Sequence, residues 1–92
     1  MKAVSARTRI LRDVNAILVD RLGVAPSAPI DEGTLFFADL GLASIDAVVL
    51  SEAIQQYYAR ALPFHELLAE IGRRTERDLS IGELVAFLGE HL

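Results

Sequence analysis

The apolar positions of this chain fall at helical spacing almost from its start. Between about Ser5 and Asp20, Ile10, Val14, Ile17 and Leu18 recur on one side, with Leu11 beside them and Arg and Asp residues opposite. The pattern predicts a first helix, capped by Ser5 and closed by Gly23 just beyond its end. A basic amphipathic helix can lie on a membrane. Here Asp13 and Asp20 interrupt the basic face, so core packing is the expected use of the stripe.

A second helix is predicted from Ser44 to about Ala59. Ala47, Leu50, Ile54, Tyr57 and Tyr58 form its inner stripe, and Ile45, Val48, Val49 and Glu52 sit largely off it. That leaves more apolar surface than one core uses. Such a helix is either deeply buried or binds something. A short third helix follows, with Pro63 at its first position and Phe64, Leu67, Leu68 and Ile71 at i, i+3, i+4 and i+7. Gly72 can end it, and His65 points off its apolar face. RRTERD (73–78) reads as a charged, exposed linker. The fourth helix has the sharpest local signature. Ser80 and Glu83 make a capping box, and Leu79 with Leu84 makes a hydrophobic staple. Ile81, Leu84, Val85 and Leu88 then face inward.

Between the first two helices lies a long irregular stretch, Gly23 to Ala43, punctuated by Pro26, Pro29 and Gly33. Loops above roughly 15 residues are uncommon in compact domains. The second half of this one carries Leu35, Phe36, Phe37, Leu40 and Leu42, which should pin it onto the helices. A short turn of helix is expected near Thr34–Ala38. The fold class is therefore all-α: four helices, the third short, a long loop between helices 1 and 2, and no strand.

Composition narrows the function. With 92 residues, 52% of them hydrophobic, the chain suits one domain with one modest core. A net charge of −4, without a dense basic stripe, argues against nucleic-acid binding. There is no cysteine, hence no disulfide, no Cys-ligated zinc and no thiol nucleophile. No apolar run approaches the ~20 residues of a membrane span. The opening MKAVSARTRIL intersperses charge and lacks the apolar centre of a signal peptide, so a cytoplasmic location is expected. Catalytic sets are missing too. His65 and His91 form no spaced ligand pair. Neither LGVAP nor DLGLAS makes a phosphate cradle. An enzyme is not expected.

One residue stands out. In FFADLGLASIDAVVL (36–50), Ser44 opens the second helix after a glycine-containing segment. The ordinary reading is an N-cap. The other is an attachment point, because the free N–H groups of a helix start suit a phosphate ester. Asp46, one turn in, would repel such an anion slightly unless its side chain turned outward.

At these residues the sequence resembles an acyl carrier protein. That family has four helices, a long first loop, and a D-x-G-x-D-S-L signature opening the second helix. The matching run is Asp39-Leu40-Gly41-Leu42-Ala43-Ser44-Ile45, followed by Asp46-Ala47-Val48-Val49-Leu50. The Leu35-Phe36 pair resembles the hydrophobic residues that precede the signature, and Asp78 to Val85 resembles the approach to its fourth helix. The likeness runs from about Val4 to Leu88 and implies a single acyl-carrier-like domain over 4–92, folded as a four-helix bundle.

The resemblance implies that Ser44 is esterified by 4′-phosphopantetheine donated from coenzyme A, whose thiol holds an acyl or aminoacyl group. It implies a partner-binding face at Leu42, Ile45, Val48, Val49 and Glu52. It also implies three kinds of partner: a phosphopantetheinyl transferase, a loading enzyme and a downstream synthase or transferase. The carrier is expected to be monomeric, without nucleic-acid or membrane partners. Two departures matter. Ala43 stands where the family usually has aspartate, and Val49, Gln55 and Gln56 occupy positions where acidic residues are common. These departures point to polyketide, nonribosomal peptide or related specialised biosynthesis. An aminoacyl carrier, a primary fatty-acid carrier and an unmodified helical interaction domain are the alternatives.

Overall fold

A computed structural model describes residues 5–25 and 29–92. Val4, where the likeness begins, and Pro26, read as loop punctuation, lie outside the described residues. The chain forms α1 (Ala6–Leu22), α2 (Ser44–Tyr58), α3 (Phe64–Gly72) and α4 (Ile81–His91), and α1 packs against both α2 and α4. This is a four-helix bundle of acyl-carrier type, with a short α3 and a long α1–α2 loop. Among the described residues there is no sheet, only an isolated bridge between Leu35 and Ser80.

Each helix forms where its apolar spacing placed it. Ser5 Oγ accepts from Thr8 N–H at the head of α1, and Gly23 closes it in the left-handed region at φ 67°. Ile10, Val14, Ile17 and Leu18 are buried, as the stripe required. In α4 the capping box is complete: Ser80 Oγ accepts from Glu83 N–H, and Glu83 Oε1 accepts from Ser80 N–H. Leu79, Ile81, Leu84, Val85 and Leu88 are all buried.

Other boundaries moved. Pro63 is the residue before α3 rather than its first turn, with φ −80° and ψ 57°, a ψ outside the helical region. Its carbonyl still accepts from Glu66 N–H at 3.1 Å. The end of α2 is tighter than the sequence suggests. Ala59 takes the left-handed cap position at φ 55°, where glycine is usual, and its N–H reaches the Gln55 and Gln56 carbonyls.

The long loop is held by the head of α4. Phe36 N–H donates to the Leu79 carbonyl at 2.8 Å, Ile81 N–H to Thr34 at 2.9 Å and Gly82 N–H to Glu32 at 2.8 Å. The last contact needs a residue without a side chain, since a Cβ on Gly82 would stand 2.9 Å from the Glu32 carbonyl oxygen. Phe36 is wholly buried, and the sequence expectation that its apolar cluster pins the loop holds. The turn of helix expected near Thr34–Ala38 does not extend into a helix and lies slightly later. Residues 36–40 form a hydrogen-bonded turn in which Asp39 and Leu40 N–H both donate to the Leu35 carbonyl, the Asp39 bond having the i to i+4 spacing of a single helical turn.

The 73–78 linker is also corrected. Arg74 and Asp78 are half-buried. Arg74 pairs with Glu70 and Glu83. Asp78 turns inward onto the loop, for a reason the sequence conceals: its partners are backbone groups about 40 positions earlier.

Candidate functional site

The turn at 36–40 runs through Gly41 and Leu42 to Ser44. Gly41 has φ 67°, the left-handed region that glycine enters without strain. Its N–H donates to the Phe37 carbonyl at 3.0 Å, and Leu42 N–H reaches Phe36 at 3.4 Å. Leu42 is half-buried against the core. Ala43 and Ser44 are exposed.

Ser44 is not the cap. It is the first residue inside α2, and the N-cap is Ala43, which has no side-chain acceptor. Asp46 supplies the missing group instead. Its Oδ2 accepts from Ala43 N–H at 2.8 Å, as the third residue of a capping box does, while Asp46 N–H donates to the Ala43 carbonyl at 3.0 Å. The Asp46 carboxylate is thereby folded back onto the chain before the helix. Among the described residues the Ser44 hydroxyl has no hydrogen-bond partner.

The two helix starts that flank the loop differ sharply. The first three N–H groups of α4 all find protein acceptors, in Thr34, Glu32 and Ser80. In α2 the Ser44 and Ile45 N–H groups have none among the described residues. Orphan donors at a helix head are satisfied by water, side chains or a bound anion. Here they stand next to an exposed hydroxyl. This arrangement suits a phosphodiester on Ser44 Oγ: the oxygen is accessible, unspent as a cap, and flanked by N–H groups and the positive end of the α2 dipole.

Along α2, Ile45, Val48, Val49 and Glu52 share one face at i, i+3, i+4 and i+7, and all are exposed. Ile45 is 66% exposed, Val48 43% and Val49 42%. Leu50, Ser51, Ala53 and Ile54 are buried on the other side, with Ala47 and Tyr58 half-buried. The surplus apolar surface therefore faces outward. Tyr57 departs from its assigned inner stripe and is exposed. Asp13 draws it out: Tyr57 and Tyr58 hydroxyls donate to Asp13 Oδ1 and Oδ2 at 3.1 and 2.7 Å. Burial and then the Asp13 carboxylate raise the Tyr58 pKa well above its ordinary value.

Gln55 has structural work that a carboxylate would not share, whereas Gln56 only accepts, as a carboxylate also could. Gln55 accepts from Leu62 N–H at 2.8 Å and donates to the Ser51 carbonyl at 3.2 Å. Gln56 accepts from Arg21 at 3.0 Å. The amide of Gln55, donor and acceptor at once, holds the α2–α3 connection. Asp78 also escaped sequence reading. Its Oδ1 accepts from Phe37 and Leu79 N–H at 2.9 and 2.8 Å, and its Oδ2 from Ala38 N–H at 3.1 Å. Desolvation pushes this carboxyl up, but the three backbone donors outweigh it and its pKa lies below the ordinary value. Among the described residues no cluster of His, Asp or Glu could hold a metal ion. Nor is any helix long and apolar enough to cross a membrane.

A small helical bundle that presents an uncommitted serine at the head of a half-bare helix is built as a carrier domain rather than as a catalyst. The family comparison agrees. The chain belongs to the family described as "Phosphopantetheine attachment site", whose model matches residues 12–88. The prosthetic group of that family is 4′-phosphopantetheine, attached covalently to a serine, and its domains carry substrates without transforming them. Neither a curated protein nor a solved structure matches the chain.

Proposed function

We propose that Ser44 is the attachment residue, and that the domain spanning 4–92 carries acyl or aminoacyl groups for specialised biosynthesis. The observation that carries this reading is the bare Ser44 hydroxyl beside two unpaired N–H groups, inside the matched span. Ser44 Oγ attacks the pantetheine-side phosphorus of coenzyme A. The phosphoanhydride bond breaks, adenosine 3′,5′-bisphosphate leaves, and the hydroxyl proton passes to a base of the transferase. The Ser44 and Ile45 N–H groups, without protein acceptors among the described residues, would be available to donate to the diester oxygens. When attached, the arm supplies the thiol that this cysteine-free chain lacks, and that thiol holds cargo as a thioester. The carrier contributes proximity, delivering a tethered substrate to each partner enzyme.

Partners are read as a transferase, a loading enzyme and a downstream synthase or transferase, all docking over Leu42, Ile45, Val48, Val49 and Glu52. The exposure of Ile45, Val48 and Val49 supports that face. The polyketide, nonribosomal peptide or related assignment rests on the same surface: α2 holds only Asp46 and Glu52 as acids, so partners that grip an acidic helix find little there. A cytoplasmic location accompanies this reading, because coenzyme A is the donor.

Coexpression with a broad-specificity transferase, followed by intact-mass measurement, tests the attachment. One phosphopantetheinyl group should appear on the wild-type chain and vanish in Ser44→Ala. A wild-type chain that stays unmodified beside an active transferase refutes it. Equal loading and transfer by general fatty-acid enzymes and by a cognate set would refute the specialised assignment.

A further inference from the structure

The described loop contacts converge on one carboxylate that belongs to neither the attachment helix nor the loop before it. Among the described residues Asp78, in the α3–α4 linker, is the only side chain that receives the Phe37 and Ala38 N–H groups. Those residues begin the turn that leads to Gly41, Ala43 and Ser44. Neighbouring contacts fix the carboxylate itself. Leu79 N–H donates to its Oδ1, and Arg74 Nη1 donates to the Asp78 carbonyl at 3.3 Å, while the same guanidinium pairs with Glu70 and Glu83. On the loop side, Asp39 Oδ2 accepts from Leu35 N–H at 2.8 Å, and Phe36 is sealed beneath. The turn is thus clasped from within by Asp39 and from the α3–α4 linker by Asp78.

We propose that Asp78 is a positioning residue for attachment at Ser44: by holding the Phe37 and Ala38 N–H groups, it sets the course of residues 36–43 and so the attitude in which the serine meets its transferase. This rests on Ser44 being the attachment residue. Asp78 touches no reacting atom. It acts through the backbone, from a segment 34 positions beyond the serine, and a transferase engaging Ser44 meets a loop already shaped.

The test is steady-state phosphopantetheinyl transfer from coenzyme A by a broad-specificity transferase, with the carrier as varied substrate. Asp78→Ala, Asp78→Asn and Ser5→Ala are compared with the wild type. Ser5→Ala removes the α1 cap, so it lowers stability without touching the loop. All are assayed where circular dichroism shows them folded. Losing charge-assisted bonds should raise the KM for the Asp78→Ala carrier about tenfold. Asp78→Asn keeps an acceptor for Phe37 and Leu79 but sets an N–H against Ala38, so its KM should fall between. Ser5→Ala should keep the wild-type KM. Amide exchange should quicken at Phe37 and Ala38 in Asp78→Ala, with core amides of α1 slow. If Asp78→Ala does not fold, Asp78→Asn carries the comparison alone. A KM unchanged in the folded Asp78 variants overturns the inference while attachment at Ser44 stands. A wild-type chain that accepts no group at Ser44 overturns the attachment reading, and this one with it.

Discussion

Replacing Ser44 by alanine separates two jobs that a serine at a helix start can have. If its hydroxyl capped α2, the substitution would cost about 0.5–2 kcal/mol. In a domain of this size that is about 2–16 °C of melting temperature. The structure gives the hydroxyl no such task. Ser44 is the first helical residue, and Asp46 carries the reciprocal bond to Ala43 N–H. Alanine is the better helix former, so the unmodified Ser44→Ala protein should lie within about 0.5 kcal/mol of wild type. Asp46→Ala should be the costlier change. It loses a charge-assisted bond and a favourable charge at the positive end of α2, together about 0.5–1.5 kcal/mol. Urea unfolding of both variants as apo proteins, with intact mass after transferase treatment, is the assay. The expected outcome is stable but unmodifiable for Ser44→Ala, and weakened but still modifiable for Asp46→Ala. The reasoning is refuted if Ser44→Ala proves the less stable of the two.

Two other outcomes follow from the geometry. Ala59 holds φ 55°, a conformation that costs an L-residue about 1–2 kcal/mol. Ala59→Gly should raise the melting temperature by a few degrees, after the larger unfolded-state entropy of glycine takes back part of the gain; a lower melting temperature would contradict the assignment. The carboxyls of Asp78 and Glu83 both lie below their ordinary values, Glu83 through its bond to Arg74, and Asp78 through backbone donors that outweigh its desolvation. A depressed folded pKa means stability that is present above about pH 4 and lost as pH falls through the folded value. The urea midpoint should therefore drop on acidification below about pH 4, and an Asp78→Asn, Glu83→Gln double variant should show a shallower drop.

The helices were legible because each owes its face to spacing within one short segment. Val14 and Leu18, or Leu84 and Leu88, are buried for reasons visible within one or two helical turns. The α4 cap was legible for the same cause, since Ser80 and Glu83 are three residues apart. The likeness to the family signature was legible as a run of types around Ser44, the residue proposed for attachment, but the capping was not. A serine before an apolar run reads as a cap, and only the geometry shows the helix beginning one residue earlier than that role needs, with Asp46 serving Ala43. Long-range partners stayed hidden. Asp78 looked like part of a solvated linker because its donors are backbone N–H groups of Phe37 and Ala38, which no side-chain pattern advertises. Tyr57 fitted the inner stripe by angle, yet Asp13, far back along the chain, holds its hydroxyl at the surface.

Ser44 and the bare side chains of Ile45, Val48 and Val49 occupy adjoining turns of a single helix, and the rise from Ser44 to Val48 is only about 6 Å. On the proposed reading, an enzyme that encloses the Ser44 hydroxyl also covers those valines. Occupancy would then be exclusive, and clients would have to take turns. The sequence of steps is then governed by how quickly each visitor lets go, so a client that clung too tightly would stall every one behind it.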